Sequence, residues 1–234
     1  MHSFWGYREG TQVHLDPEEV VHATKVLRLE SGAEVLVFDG SGSVYMSRIE
    51  SVSKRHVSAS ILEELPEYGA VTGHLHIAIA PTKNVDRMHF FLEKAVEIGV
   101  HAVTPIWTFH SERKHWNAEK ALKIMKGACT QSHKGRLPLL HSAQPLEALL
   151  KGAQEEKRYI ATCLDRPKNS LVEAFAAAPM ATSLVLIGPE GDFSEAEYRQ
   201  SEAFGFQHVH LGPHRLRTET AGLYAVAAFA QRTL

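Results

Sequence analysis

Two segments of the 234-residue chain concentrate groups that could hold a ligand. One is Ile187-Gly188-Pro189-Glu190-Gly191-Asp192-Phe193-Ser194. The other is Leu211-Gly212-Pro213-His214-Arg215-Leu216-Arg217-Thr218-Glu219-Thr220-Ala221. Each follows a run that reads as a sheet strand, and in open α/β sheets ligands bind beyond the carboxyl ends of the strands. Gly188, Gly191 and Gly212 permit close backbone approach to a flat ligand. On pattern alone the first segment is equally a plain turn, as Gly-Pro runs usually are. Neither segment is GxGxxG and no GxxxxGK[ST] occurs, so neither a dinucleotide fingerprint nor a P-loop is supported. The backbone of Ile187, Gly188, Leu211 and Leu216 is best placed for a ligand, since these residues follow strand ends. Leu164 with the turn Asp165-Arg166-Pro167 is either a third such loop or simply a turn.

Strands and helices must deliver these loops. The first third reads as mostly β, with strands at 34–38, 44–52 and 57–65 and a turn at 39–42. Asp16-Pro17-Glu18-Glu19 reads as a capped helix start, continuing to about Leu27. Short strands around one small helix suggest a small barrel, and 64–69 reads as a linker. From about Val71 strands alternate with helices: strands at 74–80, 102–107, 159–164, 183–187 and 207–210, and helices at 84–98, 117–132, 194–204 and 218–231. Gly99 can stop the helix that begins at Asn84. The alternation means an α/β domain on a parallel sheet.

Composition narrows the class. Hydrophobic residues make up 44% and charged residues 22%, which argues against a disordered or collagen-like chain. The two cysteines, Cys129 and Cys163, form no CxxC, which argues against a disulfide framework or a structural zinc. Cys163 reads as a small apolar core residue. The pairs His74/His76 and His208/His210 sit i, i+2 on strands with no third ligand nearby, so they read as structural and no metal is expected. No apolar run reaches the roughly 18 residues of a membrane span, and the N-terminus lacks the h-region of a signal peptide. A cytoplasmic protein without a membrane partner is expected.

The net charge of −2 conceals an uneven distribution. Residues 1–70 carry −5, residues 71–140 carry +5 and residues 141–234 carry −2. Most of the basic excess lies in 108–140. A basic middle is what a phosphate-binding face needs, and it is equally what a solvated helix face presents.

Taken in order, the segments are more specific than any one alone. His22–Leu29, Val37–Gly40, Pro81–Arg87, Glu93–Val100, Ser111–Lys114, Gln131-Ser132 with Leu137-Pro138, GPEGDFS at 188–194 and LRTETA at 216–221 resemble the ribosomal small-subunit methyltransferase E family. The resemblance runs from about residue 20 to the C-terminus, and GPEGDFS with LRTETA carries it most strongly. It implies a SPOUT-class enzyme that methylates N3 of a uridine in 16S rRNA of the 30S ribosomal subunit. It further implies a PUA-like β-barrel over 1–68 that helps hold RNA. Residues 71–234 would be an α/β methyltransferase domain with a parallel sheet and a deep trefoil knot. S-adenosylmethionine would bind in the knot loops, and the enzyme would be a homodimer. The chain departs from the family in reading Thr130-Gln131, in His89, and in GPEGD where GPEGG is commoner, which adds Asp192.

The resemblance also sorts the site residues. Leu164, Ile187, Gly188, Pro189, Glu190, Gly191, Leu211, Gly212, Leu216, Arg217 and Thr218 would line the cofactor. A uracil N3–H is weakly acidic, and a carboxylate with a pKa near ~4.3 removes that proton poorly unless its surroundings raise it. Stabilising charge on the flanking carbonyl oxygens suits Arg217, an always-charged planar donor. Glu219 would orient Arg217 or assist proton removal. Alternatively Glu219 simply favours the helix dipole, and Thr218 and Thr220 cap the last helix. Lys83 and Arg87 open a helix where the dipole disfavours cations, which points to RNA phosphate. Arg113, Lys114, Lys134 and Arg136 would position phosphate or merely be solvated. His22, Lys25 and Arg28, at helical spacing, would give the barrel an RNA face; for His22, helix-end packing is the alternative. A non-catalytic RNA-binding or ribosome-assembly factor on the same scaffold is the competing reading.

Overall fold

A computed structural model describes residues 1–112 and 114–232. The chain divides into two compact units, Met1–Ala70 with Lys126–Leu137, and Val71–Met125 with Pro138–Leu234.

The first unit is a closed five-stranded barrel. Its strands are β1 (His2–Glu9), β2 (Gln12–Leu15), β3 (Glu34–Phe38), β4 (Val44–Val52) and β5 (Val57–Leu65). The order is β1-β2-β5-β4-β3, and the parallel pairing of β1 with β3 closes the barrel. Alternate residues fill it, including Phe4, Val13, Val35, Val37, Ile49 and Val57. The run 34–65 announces its strands by this alternation; β1 and β2, missed in the sequence, pair with each other as a tight hairpin through Glu9 and Gln12 and use their outer edges for β3 and β5. Helix α1 (Pro17–Val21) is followed by a π-helical turn at His22–Val26. Pro17 opens the helix as expected, but the Asp16 side chain does not cap it. That carboxylate is held by Lys126 Nζ at 3.1 Å. Residues 126–137 add three cations and no anion, moving the unit from −5 to −2.

The second unit is the expected α/β domain. Its elements are β6 (Leu75–Ile79), α2 (Val85–Ile98), β7 (Ala102–Trp107), α3 (Ala118–Gln131, whose last turns belong to the first unit), β8 (Leu139–Leu140), β9 (Gln144–Pro145), α4 (Leu146–Gly152), β10 (Lys157–Ala161), β11 (Asn169–Ser170), α5 (Leu171–Ala177), β12 (Ser183–Ile187), α6 (Glu195–Ala203), β13 (Gln207–His210) and α7 (Thr218–Ala230). The sheet runs β11-β13-β10-β12-β6-β7-β8, all parallel, with β9 beside β7. Every residue of β6 and β12 is buried, as a parallel sheet covered on both faces requires. Asn84 caps α2 by accepting from Asp86 N at 2.8 Å, and Gly99, at φ +118°, ends it. Helix α7 packs closely on α2. A Cβ on Gly222 would stand 2.6 Å from the Phe91 ring, so this face admits only glycine.

The sequence reading overextends one strand. β10 ends at Ala161 instead of 164, because Thr162 Oγ1 accepts from Leu164 N at 3.0 Å and bends the chain out of the sheet. It also omits α4, α5, β8, β9 and β11, all of seven residues or fewer. Among the described residues no helix is long and apolar enough to cross a membrane, and no cluster of three or more His, Cys, Asp or Glu is suited to a metal.

Candidate active site

Strand order builds the site. β13, β10 and β12 are neighbours, so the loops after them lie side by side at the carboxyl ends of the sheet. They enclose a cleft of about 1050 Å³. Its walls come from 161–163 and Lys168, from 187–190 and Asp192, and from 210–218 with Arg87 and Ala221. Thr218 Oγ1 donates to Gly188 O at 3.1 Å, tying the start of α7 to the loop after β12.

The cleft gathers most of the residues singled out for a ligand. Ile187, Gly188, Pro189, Glu190, Leu211, Gly212, Leu216, Arg217 and Thr218 line it. Leu164 and Gly191, both exposed, are not among the lining residues. The Leu164 carbonyl accepts from Lys168 Nζ at 2.6 Å, and a Cβ on Gly191 would stand 3.0 Å from the His110 side chain. Arg217 is exposed at the start of α7, with extended backbone and no capping side chain. Thr218 is buried and spends its hydroxyl on Gly188 rather than on a cap.

Glu219 is 7% exposed, and its cationic partner is Arg87, with Arg87 Nε 3.8 Å from Oε1. Its second oxygen, Oε2, is buried with no hydrogen-bond partner among the described residues. Arg87, expected to meet phosphate, thus stands in the cleft wall beside a buried carboxylate. Lys83 Nζ pairs instead with Glu112 at 2.9 Å, and that hydrogen bond raises its pKa.

Four residues of the cleft wall are not assigned to a ligand by the sequence: Cys163, Lys168, His210 and Asp192. Cys163 is exposed in the wall, correcting its reading as a core residue; the overextended strand had buried it. Lys168 holds its own loop through the Leu164 and Thr162 carbonyls. His210 accepts from Gly212 N at 3.2 Å, and Asp192 joins two of the loops.

Comparison with known proteins decides the family. A family model described as an RNA methyltransferase domain matches residues 70–230, and one described as an RNA methyltransferase PUA domain matches 15–62. Ribosomal RNA small subunit methyltransferase E of Aquifex aeolicus is 30% identical, covering 94% of this chain and 95% of its own. A crystal structure of a probable rRNA-methyltransferase from Porphyromonas gingivalis is 33% identical, with a TM-score of 0.86 over 97% of this chain and 95% of that one. The structure of ribosomal RNA small subunit methyltransferase E from Neisseria gonorrhoeae bound to S-adenosyl methionine is 28% identical, with a TM-score of 0.84 over 97% of this chain and 96% of that one.

The chain belongs to the ribosomal RNA small subunit methyltransferase E family.

Its fold is that of the family, a PUA-like barrel and a SPOUT-type α/β domain. The residues expected to meet RNA fall in both units. His22 and Lys25 are exposed on the π-helical turn, and His22 faces Glu19 at 3.9 Å and the Phe4 ring. Arg28 lies beyond that turn with φ +51°, so the three do not share one helical face. Lys134 and Arg136 belong to the barrel unit, where Arg136 pairs with Glu67 at 3.2 Å. Lys114 is exposed in the α/β unit, and Arg113 lies outside the described residues. The paired histidines have protein partners. His76 meets Glu155 at 2.6 Å and Thr104 at 2.7 Å, while His208 meets Glu202 at 2.7 Å.

Proposed function

We propose that this chain transfers a methyl group from S-adenosylmethionine to N3 of a uridine in 16S rRNA of the 30S ribosomal subunit. The observation that carries the reading is the cleft: three post-strand loops converging on a space lined also by three arginines, Arg87, Arg215 and Arg217. At about 1050 Å³ it stands at the upper end of the ~300–1,000 Å³ usual for ligand sites, room for a nucleoside-sized cofactor and a base. Its loops expose backbone donors and acceptors, which suits an adenosine. The gonococcal relative carrying S-adenosyl methionine supports the same assignment.

The cofactor supplies a methyl group already activated on a sulfonium, which leaves the chain the tasks of positioning and charge stabilisation. Ile187, Gly188, Leu211, Gly212 and Leu216 hold it through their backbones, and Thr218 keeps the walls together. Arg217 donates to the uracil carbonyl oxygens, stabilising the charge that develops there as the N3 proton passes to solvent. Arg87 is the second donor, and the 3.8 Å contact supports a positioning role for Glu219 on Arg87. Lys25, Arg28, Lys134 and Arg136 offer phosphate contacts from the barrel unit. The active form is a homodimer with a trefoil-knotted cofactor site, acting in the cytoplasm where its ribosomal substrate resides.

The test is to incubate the protein with undermethylated 30S subunits and labelled S-adenosylmethionine, then map the label. Methyl at N3 of one 16S uridine is expected. Retained RNA binding without transfer would favour the assembly-factor reading.

A further inference from the structure

Asp192 has a left-handed backbone, φ +63°, a conformation that glycine adopts freely and aspartate only with local hydrogen bonding. Its carboxylate supplies that bonding and reaches further. Oδ1 accepts from Phe193 N at 2.9 Å and from the Tyr198 hydroxyl at 2.6 Å. Oδ2 accepts from Cys163 N at 3.3 Å, in the loop after β10. Tyr198 is fully buried, and burial followed by the Asp192 hydrogen bond pushes its pKa up, so it remains a donor. In the loop after β10, Thr162 Oγ1 accepts from Leu164 N at 3.0 Å. Arg166 lies over the Tyr198 ring at 4.7 Å and pairs with Glu195 at 2.9 Å. One carboxylate and one buried phenol therefore join the loops after β10 and β12, which form two of the three walls of the cleft.

We propose that Asp192 is a positioning residue for the methyl donor. With Tyr198 it forms a latch that holds the Cys163–Leu164 backbone at a fixed distance from the 188–191 loop. The assignment rests on the reading of this cleft as the S-adenosylmethionine site. A glycine here keeps the backbone conformation and removes the latch, which separates the two contributions at one position.

The experiment compares wild type, Asp192→Gly, Tyr198→Phe and the double variant. The first readout, amide hydrogen exchange at Cys163 and Leu164 without cofactor, tests the latch alone. Exchange should accelerate about tenfold in each single variant; wild-type exchange in Asp192→Gly overturns the latch. The second readout is steady-state methylation of 30S subunits. KM for S-adenosylmethionine should rise about tenfold, roughly 1.4 kcal/mol, with kcat at saturating cofactor and KM for the subunit within twofold of wild type. The double variant should show no more than either single change, because both remove one connection. An unchanged cofactor KM, or effects that add, overturns the positioning role. A wild-type protein that binds no S-adenosylmethionine sinks the cofactor reading instead, while the exchange readout still judges the latch.

Discussion

The two ends of the parallel sheet treat polar groups in opposite ways. At the amino ends of β6, β7 and β10, side chains close on one another. His76 uses both ring nitrogens, on Glu155 and Thr104. His101 uses both of its own, on Leu75 N at 3.2 Å and Val71 O at 3.1 Å, and His141 stacks near His76 with ring centroids 5.1 Å apart. His74 Nδ1 and, on β13, His208 Nδ1 are the exceptions, buried without a hydrogen-bond partner among the described residues. At the carboxyl ends the loops turn away from the sheet, leaving a cleft with Arg215 and Arg217 exposed in its wall, and beside it Glu219 Oε2 is buried without a hydrogen-bond partner among the described residues. A buried unsatisfied acceptor costs about 1–3 kcal/mol. The amino ends bury their polar groups against one another, whereas the carboxyl ends leave Arg215 and Arg217 exposed in the cleft wall.

The largest test of that division is Arg217→Ala. Arg217 is exposed in the cleft wall, so its removal should leave thermal stability nearly unchanged. Methyl transfer to 30S subunits should fall by roughly 10²–10³, the usual effect of deleting one donor to a developing oxyanion. Cofactor affinity measured by calorimetry should stay within about threefold. A variant that methylates at the wild-type rate would remove Arg217 from the chemistry.

The opposite end predicts the opposite phenotype, through acid stability. Burial alone would push the Glu155 carboxyl up, but the His76 hydrogen bond and nearby backbone donors bring it down to about 2. A carboxyl held below its ordinary value of 4.5 contributes stability above that value, and this is lost as pH falls toward 2. His74 and His141 act earlier. Burial lowers both pKa values, so their neutral forms favour the fold at pH 7 and protonation opposes it progressively below 6.5. Glu155→Gln should therefore cost at most roughly 3 kcal/mol at pH 7. Its denaturation midpoint should converge with that of wild type as pH approaches 2, and its methyl transfer at pH 7 should be near normal once folded. A gap that stays constant between pH 6 and pH 2 would show that this carboxylate does not titrate with unfolding.

The sequence made the carboxyl end more legible than the amino end. Gly188, Leu211 and Leu216 were readable because continuous apolar runs betray buried parallel strands, and ligands collect where those strands stop. The histidine cluster was invisible, because Glu155 and His76 are 79 residues apart and nothing local links them. The same limit hid the pairing of Arg87 with Glu219. In the cleft, Cys163 and Lys168 were missed for a local reason: an apolar run suggested that β10 continued, and the Thr162 hydroxyl ends it. Asp192 stood out as a departure from the family, but its partners Tyr198 and Cys163 emerge only from the fold. In the barrel, composition misled. The −5 of residues 1–70 omits the cations of 126–137 that fold with them.

The smallest predicted effect lies where the two behaviours meet, at Arg87 and Glu219. Glu219 is nearly buried and Arg87 is 38% exposed at its side chain, so solvent screens the pair from one side. Removing the cation leaves a buried carboxylate with both oxygens poorly served, whereas neutralising the acid leaves an arginine that water can reach. The two substitutions should therefore be unequal. Arg87→Ala should cost about 1–2 kcal/mol of stability, and Glu219→Gln less. Glu219→Gln in the Arg87→Ala background should recover part of the loss, since an amide is cheaper to bury than a charge. Methyl transfer adds a second criterion. If Glu219 acts by holding Arg87, the two single variants and the double variant should reduce kcat to a similar level. A double variant slower than both singles, by the product of their effects, would mean that Glu219 acts independently of Arg87 and would restore it as a candidate for proton removal.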